Sequence, residues 1–225
     1  MPAVIFDLFE TLVTEWGKPK YAVSMIAADL GVDYHDFQRA KQALSTAHFL
    51  GKFPGTTQYL EVILAILNTV RDESLLVQAA QKRENYKRAC FDVIEPQILD
   101  MLTQLKKSGY KLGLISNCSP EEIKGFYSSD LYQYSDAVVM SCDVGLVKPD
   151  VEIYQHCLSL LNEKPDNCFF VGDGGSDELN GAKNAGLTPI RAVWFTKHFA
   201  KLSDNDLMET FPTAFETSDI LQFIK

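Results

Sequence analysis

Val4-Ile5-Phe6-Asp7-Leu8-Phe9-Glu10-Thr11-Leu12 decides the fold of this 225-residue chain. It reads as a short, wholly apolar strand that carries one carboxylate, Asp7, to the point where the strand stops. A carboxylate at the end of a buried strand is costly unless it is solvated, paired or put to use. Three later segments repeat the pattern of an apolar strand followed by a polar cluster. They are Leu112-Gly113-Leu114-Ile115-Ser116-Asn117, Val138-Val139-Met140-Ser141 with Lys148 just beyond, and Phe169-Phe170-Val171-Gly172-Asp173.

Between the first and second of these strands lie roughly 70 residues of helical periodicity. Tyr21, Ser24, Met25 and Ala28 form one stripe, closed by Gly31 as a C-cap. Phe37, Ala40, Leu44 and Ala47 form a second, and Leu60, Ile63, Leu64 and Leu67 a third. Leu75, Leu76, Ala79, Ala80, Tyr86 and Ala89 form the fourth. One strand cannot make a domain alone, so the helices read as an insertion. Residues 16–90 are then a helical cap domain, and residues 1–15 with 91–225 the core.

From Pro96 onward helices and strands alternate. A helix stopped by Gly109 precedes a strand over 111–116, and Ser119-Pro120-Glu121-Glu122 carries the capping box and first-turn proline that open a helix. Further strands are expected over 137–141, 168–172, 189–195 and 213–215. Helices are expected from Asp150, over 176–185 up to Gly186, and over 219–224. This alternation defines an α/β fold with a Rossmann-like parallel sheet covered by helices on both faces. Ligands of such sheets bind at the carboxyl ends of the strands, near the switch in strand order. Asp7, Ser116, Lys148 and Asp173 all fall at or just past such ends.

Bulk properties narrow the chemistry. With 46% hydrophobic and 23% charged residues, the composition is that of a globular enzyme. A net charge of −9 argues against nucleic acid or an anionic membrane as partner, so an anionic substrate needs a local positive site. Five cysteines, an odd number without a Cys-x-x-Cys pair, point to a reducing cytoplasm. The first strand begins at about the third residue, which leaves no room for a signal peptide.

Asp7, Asp173 and Asp177 would bring three carboxylates together, which repel unless a cation joins them. Mg²⁺ suits such an oxygen site. Lys148 adds a fixed positive charge, while Ser116, Asn117 and the start of the Ser119 helix offer donors to an anion. A metal, a lysine and amide donors around one carboxylate fit phosphoryl transfer, with Asp7 as covalent nucleophile.

At these residues the chain resembles the haloacid dehalogenase-like hydrolase superfamily, in the branch with a helical cap inserted after the first strand. The matching segments are Phe6 to Leu12, Ile115-Ser116-Asn117, Gly145-Leu146-Val147-Lys148-Pro149-Asp150 and Val171 to Glu178. The resemblance implies Asp7 as nucleophile and Lys148 as the residue that orients it. Thr11, Ser116 and Asn117 would bind phosphate, and a small phosphorylated metabolite would be the substrate. Metal ligands would be Asp7, the backbone carbonyl of Phe9, Asp173 and Asp177. In the phosphatase branch the position of Phe9 holds an aspartate that protonates the leaving group; its loss removes a general acid/base worth about 10²–10⁴-fold in rate. Dehalogenase members also carry an aromatic there, and use an arginine roughly where Arg39 lies, which implies a substrate-binding role for Arg39. Their final motif, however, lacks the Gly172-Asp173 pair, which argues for a Mg²⁺-dependent phosphatase. The alternatives are a 2-haloacid dehalogenase-like hydrolase and a catalytically weak scaffold that binds a phosphorylated ligand. Taken alone, Arg39 and Lys41 read as solvated cap residues and His48 as structural.

Overall fold

The computed structural model describes residues 2–18, 20–198 and 210–224. Strand β1 (Ala3–Phe6) is buried along its whole length. It lies between β2 (Lys111–Ser116) and β4 (Cys168–Gly172), with Val4 paired to Leu112 on one side and Phe169 on the other. Strands β3 (Ala137–Met140), β5 (Thr188–Ala192) and β6 (Thr213–Ala214) complete a parallel sheet of order β3-β2-β1-β4-β5-β6. A central strand with both faces covered has to be apolar throughout, which is why Val4, Ile5 and Phe6 run without interruption.

Successive side chains of β1 feed opposite layers. Val4 and Phe6 pack with Ile98, Leu102 and Leu105 of α6 (Pro96–Lys107), and with Ile220 of the terminal helix α10 (Ile220–Phe223). Ile5 packs with Ile153 and Leu158 of α8 (Val151–Leu161) and Leu179 of α9 (Glu178–Asn184). A short helix, α7 (Ser141–Val144), follows β3 directly.

Helices α1 (Val23–Asp29), α2 (Tyr34–Ala43), α3 (Ser45–Phe49), α4 (Thr56–Ile66) and α5 (Glu73–Arg88) enter after β1 and have a hydrophobic core of their own, centred on Phe37, Leu60, Ile63 and Ala79. The α1 stripe differs from the expected one. Ile26, Ala27 and Leu30 are buried, whereas Met25 is 47% exposed and Ser24 and Ala28 also face out. Both faces of α1 carry small or apolar residues, so periodicity left its phase undetermined; packing on α2 and α5 set it.

A second correction concerns the helix expected at Ser119. The segment forms turns instead, with Phe126–Ser128 and Tyr132–Tyr134 as short 3₁₀ pieces. Only half of the capping box exists: Glu122 Oε2 accepts from Ser119 N at 3.1 Å, but the Ser119 hydroxyl has no partner among the described residues. Glu122 is drawn instead to the helical insertion, where it pairs with Lys87 at 2.7 Å and Arg83 at 3.2 Å. Gly125, Ser128 and Ser129 are weak helix formers, so nothing local opposes this. The strand expected to reach 195 stops at Ala192.

The Lys87–Glu122 contact joins the two layers. Burial opposes ionisation of Glu122, but the Lys87 ammonium and Arg83 guanidinium outweigh it and hold the carboxyl well below the ordinary range. A depressed carboxyl contributes stability that is complete above the unfolded value near pH 4.3 and fades as pH falls toward the folded one. Glu122→Gln should therefore cost about 3 kcal/mol at pH 7, because it leaves the buried Lys87 short of one partner. The gap in urea unfolding between variant and wild type should hold above about pH 4.3 and narrow progressively only below it; a constant gap across the acid range would show that charge is not what Glu122 contributes.

Candidate active site

The strand order reverses at β1, and the crevice at that switch point is where the conserved geometry of open α/β sheets places ligands. Asp7 follows β1 directly, and its N–H extends the ladder to the Val171 carbonyl at 2.8 Å. The side chain is 6% exposed. Lys148, from the loop after α7, donates to Asp7 Oδ1 at 2.5 Å and also to Glu178. Burial pulls the Lys148 ammonium toward neutrality, but the flanking carboxylates of Asp7 and Glu178 outweigh it and keep it charged.

Asn117 fixes that lysine. Its side-chain amide donates to the Lys148 carbonyl and accepts from the Lys148 N–H, both at 2.8 Å. The side chain expected to bind phosphate is thus spent on positioning. Ser116, at the end of β2, is among the residues lining the cleft, and its buried hydroxyl has no hydrogen-bond partner among the described residues. Thr11 stands behind the site: its hydroxyl reaches Asp7 Oδ2 at 3.4 Å, and its carbonyl takes the Trp194 indole N–H at 2.9 Å.

Asp7, Asp173 and Glu178 present oxygens within 4.8 Å of one another. Burial and then the Asp7 charge push the carboxyls of Asp173 and Glu178 upward. Asp177 lies outside this group. It is exposed and accepts from the Asn180 amide at 2.7 Å. The reason is local: Ser176 and Asp177 adopt left-handed backbone (φ +54° and +53°), so α9 begins only at Glu178 and in a different phase. That phase turns Glu178 inward, and Gly172 makes room for it. A Cβ at Gly172 would sit 2.1 Å from Glu178 Oε1. Glu178 is further held by the Gly174 N–H at 3.1 Å, while Tyr154 donates to its carbonyl at 2.8 Å. Neither Glu178 nor Tyr154 carried a readable signal, because a left-handed pair of ordinary residues is invisible to periodicity.

Phe9 lines the cleft, and its ring meets Phe91 edge-on at 6.1 Å with Lys87 4.9 Å from the ring centre. Glu10, left-handed at φ +58°, also lines the cleft, but its carboxylate is tied to the Thr14 hydroxyl at 2.5 Å and the Glu15 N–H at 3.0 Å. Arg39 does not reach the site. It is exposed on α2 and pairs with Asp36 one turn earlier. Nothing on that face of α2 shields it from water, so it stays solvated.

Three carboxyls face one ammonium, and the crowding that pushes Asp173 and Glu178 upward favours a further positive charge among them. Such an oxygen donor set fits a hard divalent cation.

The parallel α/β sheet thus carries a buried carboxylate, a lysine and an acidic cluster at its switch point. Residues 1–186 match the haloacid dehalogenase-like hydrolases, and the chain belongs to that family. Pyrophosphatase PpaX of Bacillus cereus is 28% identical over 200 residues, covering 88% of this chain and 86% of that protein. Other PpaX proteins, from Bacillus mycoides and Bacillus cereus, are 36% and 35% identical but over 106 residues, so the chain spans about half the length (49%) of several curated relatives it matches. Among solved structures, a 2-haloacid dehalogenase from Pseudomonas syringae pv. Tomato superposes with a TM-score of 0.68 at 21% identity, covering 99% and 97% of the two chains. A phosphatase of the same superfamily from Thermococcus onnurineus gives 0.61 at 18% identity, covering 100% and 98%. The fold is therefore common to both chemistries. Among the described residues, no helix is long and apolar enough to cross a membrane.

Proposed function

We propose that this protein is a Mg²⁺-dependent phosphatase that acts on a small phosphorylated metabolite in the cytoplasm, with residues 16–90 as a cap over the cleft. The observation that carries this reading is the Asp7 carboxylate set beside Lys148, Asp173, Glu178 and a Ser116 hydroxyl that has no partner among the described residues. The relatives named pyrophosphatase add support.

In this reading Ser116 and Lys148 hold the phosphoryl oxygens, and an Asp7 oxygen attacks phosphorus. The bond from phosphorus to the leaving oxygen breaks, and that oxygen takes a proton from solvent. Water then attacks phosphorus of the aspartyl-phosphate, releasing inorganic phosphate and restoring Asp7. Asp7, Asp173 and Glu178, with the Phe9 carbonyl, are the residues that would hold Mg²⁺, which supplies charge neutralisation to the transferring group. A panel of phosphorylated metabolites assayed with Mg²⁺, and again with excess chelator, tests this directly. Phosphate release that chelator abolishes is the expected result. Chelator-resistant halide release from 2-chloropropionate would instead identify a dehalogenase.

Phe9 gives a second prediction. No acid reaches the leaving oxygen from this position, so rates should depend steeply on leaving-group acidity. 4-Nitrophenyl phosphate should exceed a simple alkyl phosphate by about 10²-fold or more, the scale of one general acid. Phe9→Asp should flatten that dependence; equal rates in the wild type would show that another group already donates the proton.

A further inference from the structure

Strands β2 and β3 end in register, with Ser116 opposite Met140. The residues two past each end are Cys118 and Cys142, and their Sγ atoms lie 4.0 Å apart. Cys118 is fully buried, with the Met140 sulfur 3.8 Å from its own. Of the five cysteines in the chain, Cys142 alone is not fully buried. One thiol open to solvent beside one that is sealed is the arrangement of an attacking and a resolving cysteine.

The pair touches the cleft on one side and the helical insertion on the other. Asn117, one residue before Cys118, clamps the backbone of Lys148. Ser141, one residue before Cys142, accepts from the Cys118 N–H at 2.9 Å and donates to the Phe49 carbonyl of the insertion at 2.8 Å. Gly51 of the insertion packs so closely that a Cβ there would sit 2.2 Å from the Cys142 carbonyl oxygen. A disulfide brings its sulfurs to about 2.05 Å, so the two strand ends must draw together by about 2 Å. Neither neighbour has slack to absorb that movement.

We propose that Cys118 and Cys142 form a reversible disulfide when a hydroperoxide oxidises the chain, and that this bond loosens the Asn117 clamp on Lys148. The Cys142 thiolate attacks one peroxide oxygen and the O–O bond breaks. The departing oxygen leaves as water or an alcohol with a proton from solvent, and Cys142 becomes a sulfenic acid. The Cys118 sulfur then attacks that sulfur, the S–O bond breaks, and hydroxide leaves as water with the Cys118 proton. Two electrons have passed from the two thiols to the peroxide. Exposure sets the order. Burial, and then the neighbouring Cys142, hold the Cys118 thiol well above its ordinary range, so Cys118 does not start the reaction. The Asp143 carboxylate, 3.9 Å from the Cys142 sulfur, does not favour a thiolate there, so the pair answers to sustained peroxide rather than to a trace.

Hydrogen peroxide is the probe. Wild-type chain treated with it, then denatured and alkylated with N-ethylmaleimide, should take up two fewer alkyl groups than untreated chain. Dithiothreitol should restore both, and peptide mass mapping should join Cys118 to Cys142. In Cys118→Ala the sulfenic acid of Cys142 should persist and be trapped by dimedone, whereas Cys142→Ser should keep all its thiols open to alkylation. Full alkylation of peroxide-treated wild type, or a bond between another pair of cysteines, would overturn the proposal. Amide hydrogen exchange at Lys148, whose N–H is held by Asn117, should quicken at least tenfold in the oxidised chain; unchanged exchange would overturn the link to Lys148. None of these readouts uses a substrate, so their failure is distinct from failure of the phosphatase reading.

Discussion

Replacing Asp7 with Asn is expected to lower phosphate release by about 10⁴-fold or more, the scale on which loss of a covalent nucleophile is felt. An amide oxygen is a poor nucleophile, yet it can still accept from Lys148, so the geometry around β1 survives. The same substitution removes one of three clustered carboxylates. Asp7 is a stated cause of the upward shift at both Asp173 and Glu178, so their crowding eases. The variant should accordingly melt no lower than the wild type, which separates loss of chemistry from loss of fold. Initial rates on the best substrate of the metabolite panel, measured on fresh protein to avoid deamidation back to Asp, decide the point. A variant that keeps a tenth of the activity would sink the assignment of Asp7 as nucleophile.

The sheet was legible because its physics is one-dimensional. A parallel strand covered on both faces must be continuously apolar, and β1, β2 and β4 each announce this in the chain. The positions just past their ends then had to meet, whatever the helices did. Asp7, Ser116, Lys148 and Asp173 line one cleft for that reason. The features that escaped were those fixed by tertiary competition. Glu178 replaced Asp177 through two left-handed residues, a backbone choice with no signature in residue type. The Ser119 segment lost its helix because Glu122 bonds more strongly across to Lys87 and Arg83 than within its own turn. The phase of α1 was ambiguous because small and apolar residues surround it. Arg39 carried a family expectation that an exposed position on α2 does not support.

Lys148→Met should produce the largest loss of stability. The side chain it removes is 4% exposed and sits between Asp7 and Glu178, with its backbone clamped by Asn117. Methionine fills similar volume, so packing is kept and the effect isolates the charge. Taking one partner from a buried ion pair costs about 3–5 kcal/mol, because the remaining charges stay desolvated. Here the remaining charges are like charges, which would repel and push their carboxyls up still further. A carboxyl raised above its unfolded value near pH 4.3 is harmless below that value and destabilises as pH climbs through the folded one. The deficit should therefore be small near pH 4.5 and largest above neutrality, whereas that of Glu122→Gln is already complete just above the unfolded carboxyl value. Added Mg²⁺ should recover part of it, since a divalent cation held by the same carboxylates replaces the missing charge. Turnover should stay low even then, by roughly 10³-fold, because a charge that stabilises the transferring phosphoryl group is gone. Thermal unfolding across pH 4.5–8.5, with and without Mg²⁺, measures all of this. If the variant melts with the wild type at pH 8, Lys148 does not hold the cluster together, and the charge balance argued for the cleft fails with it.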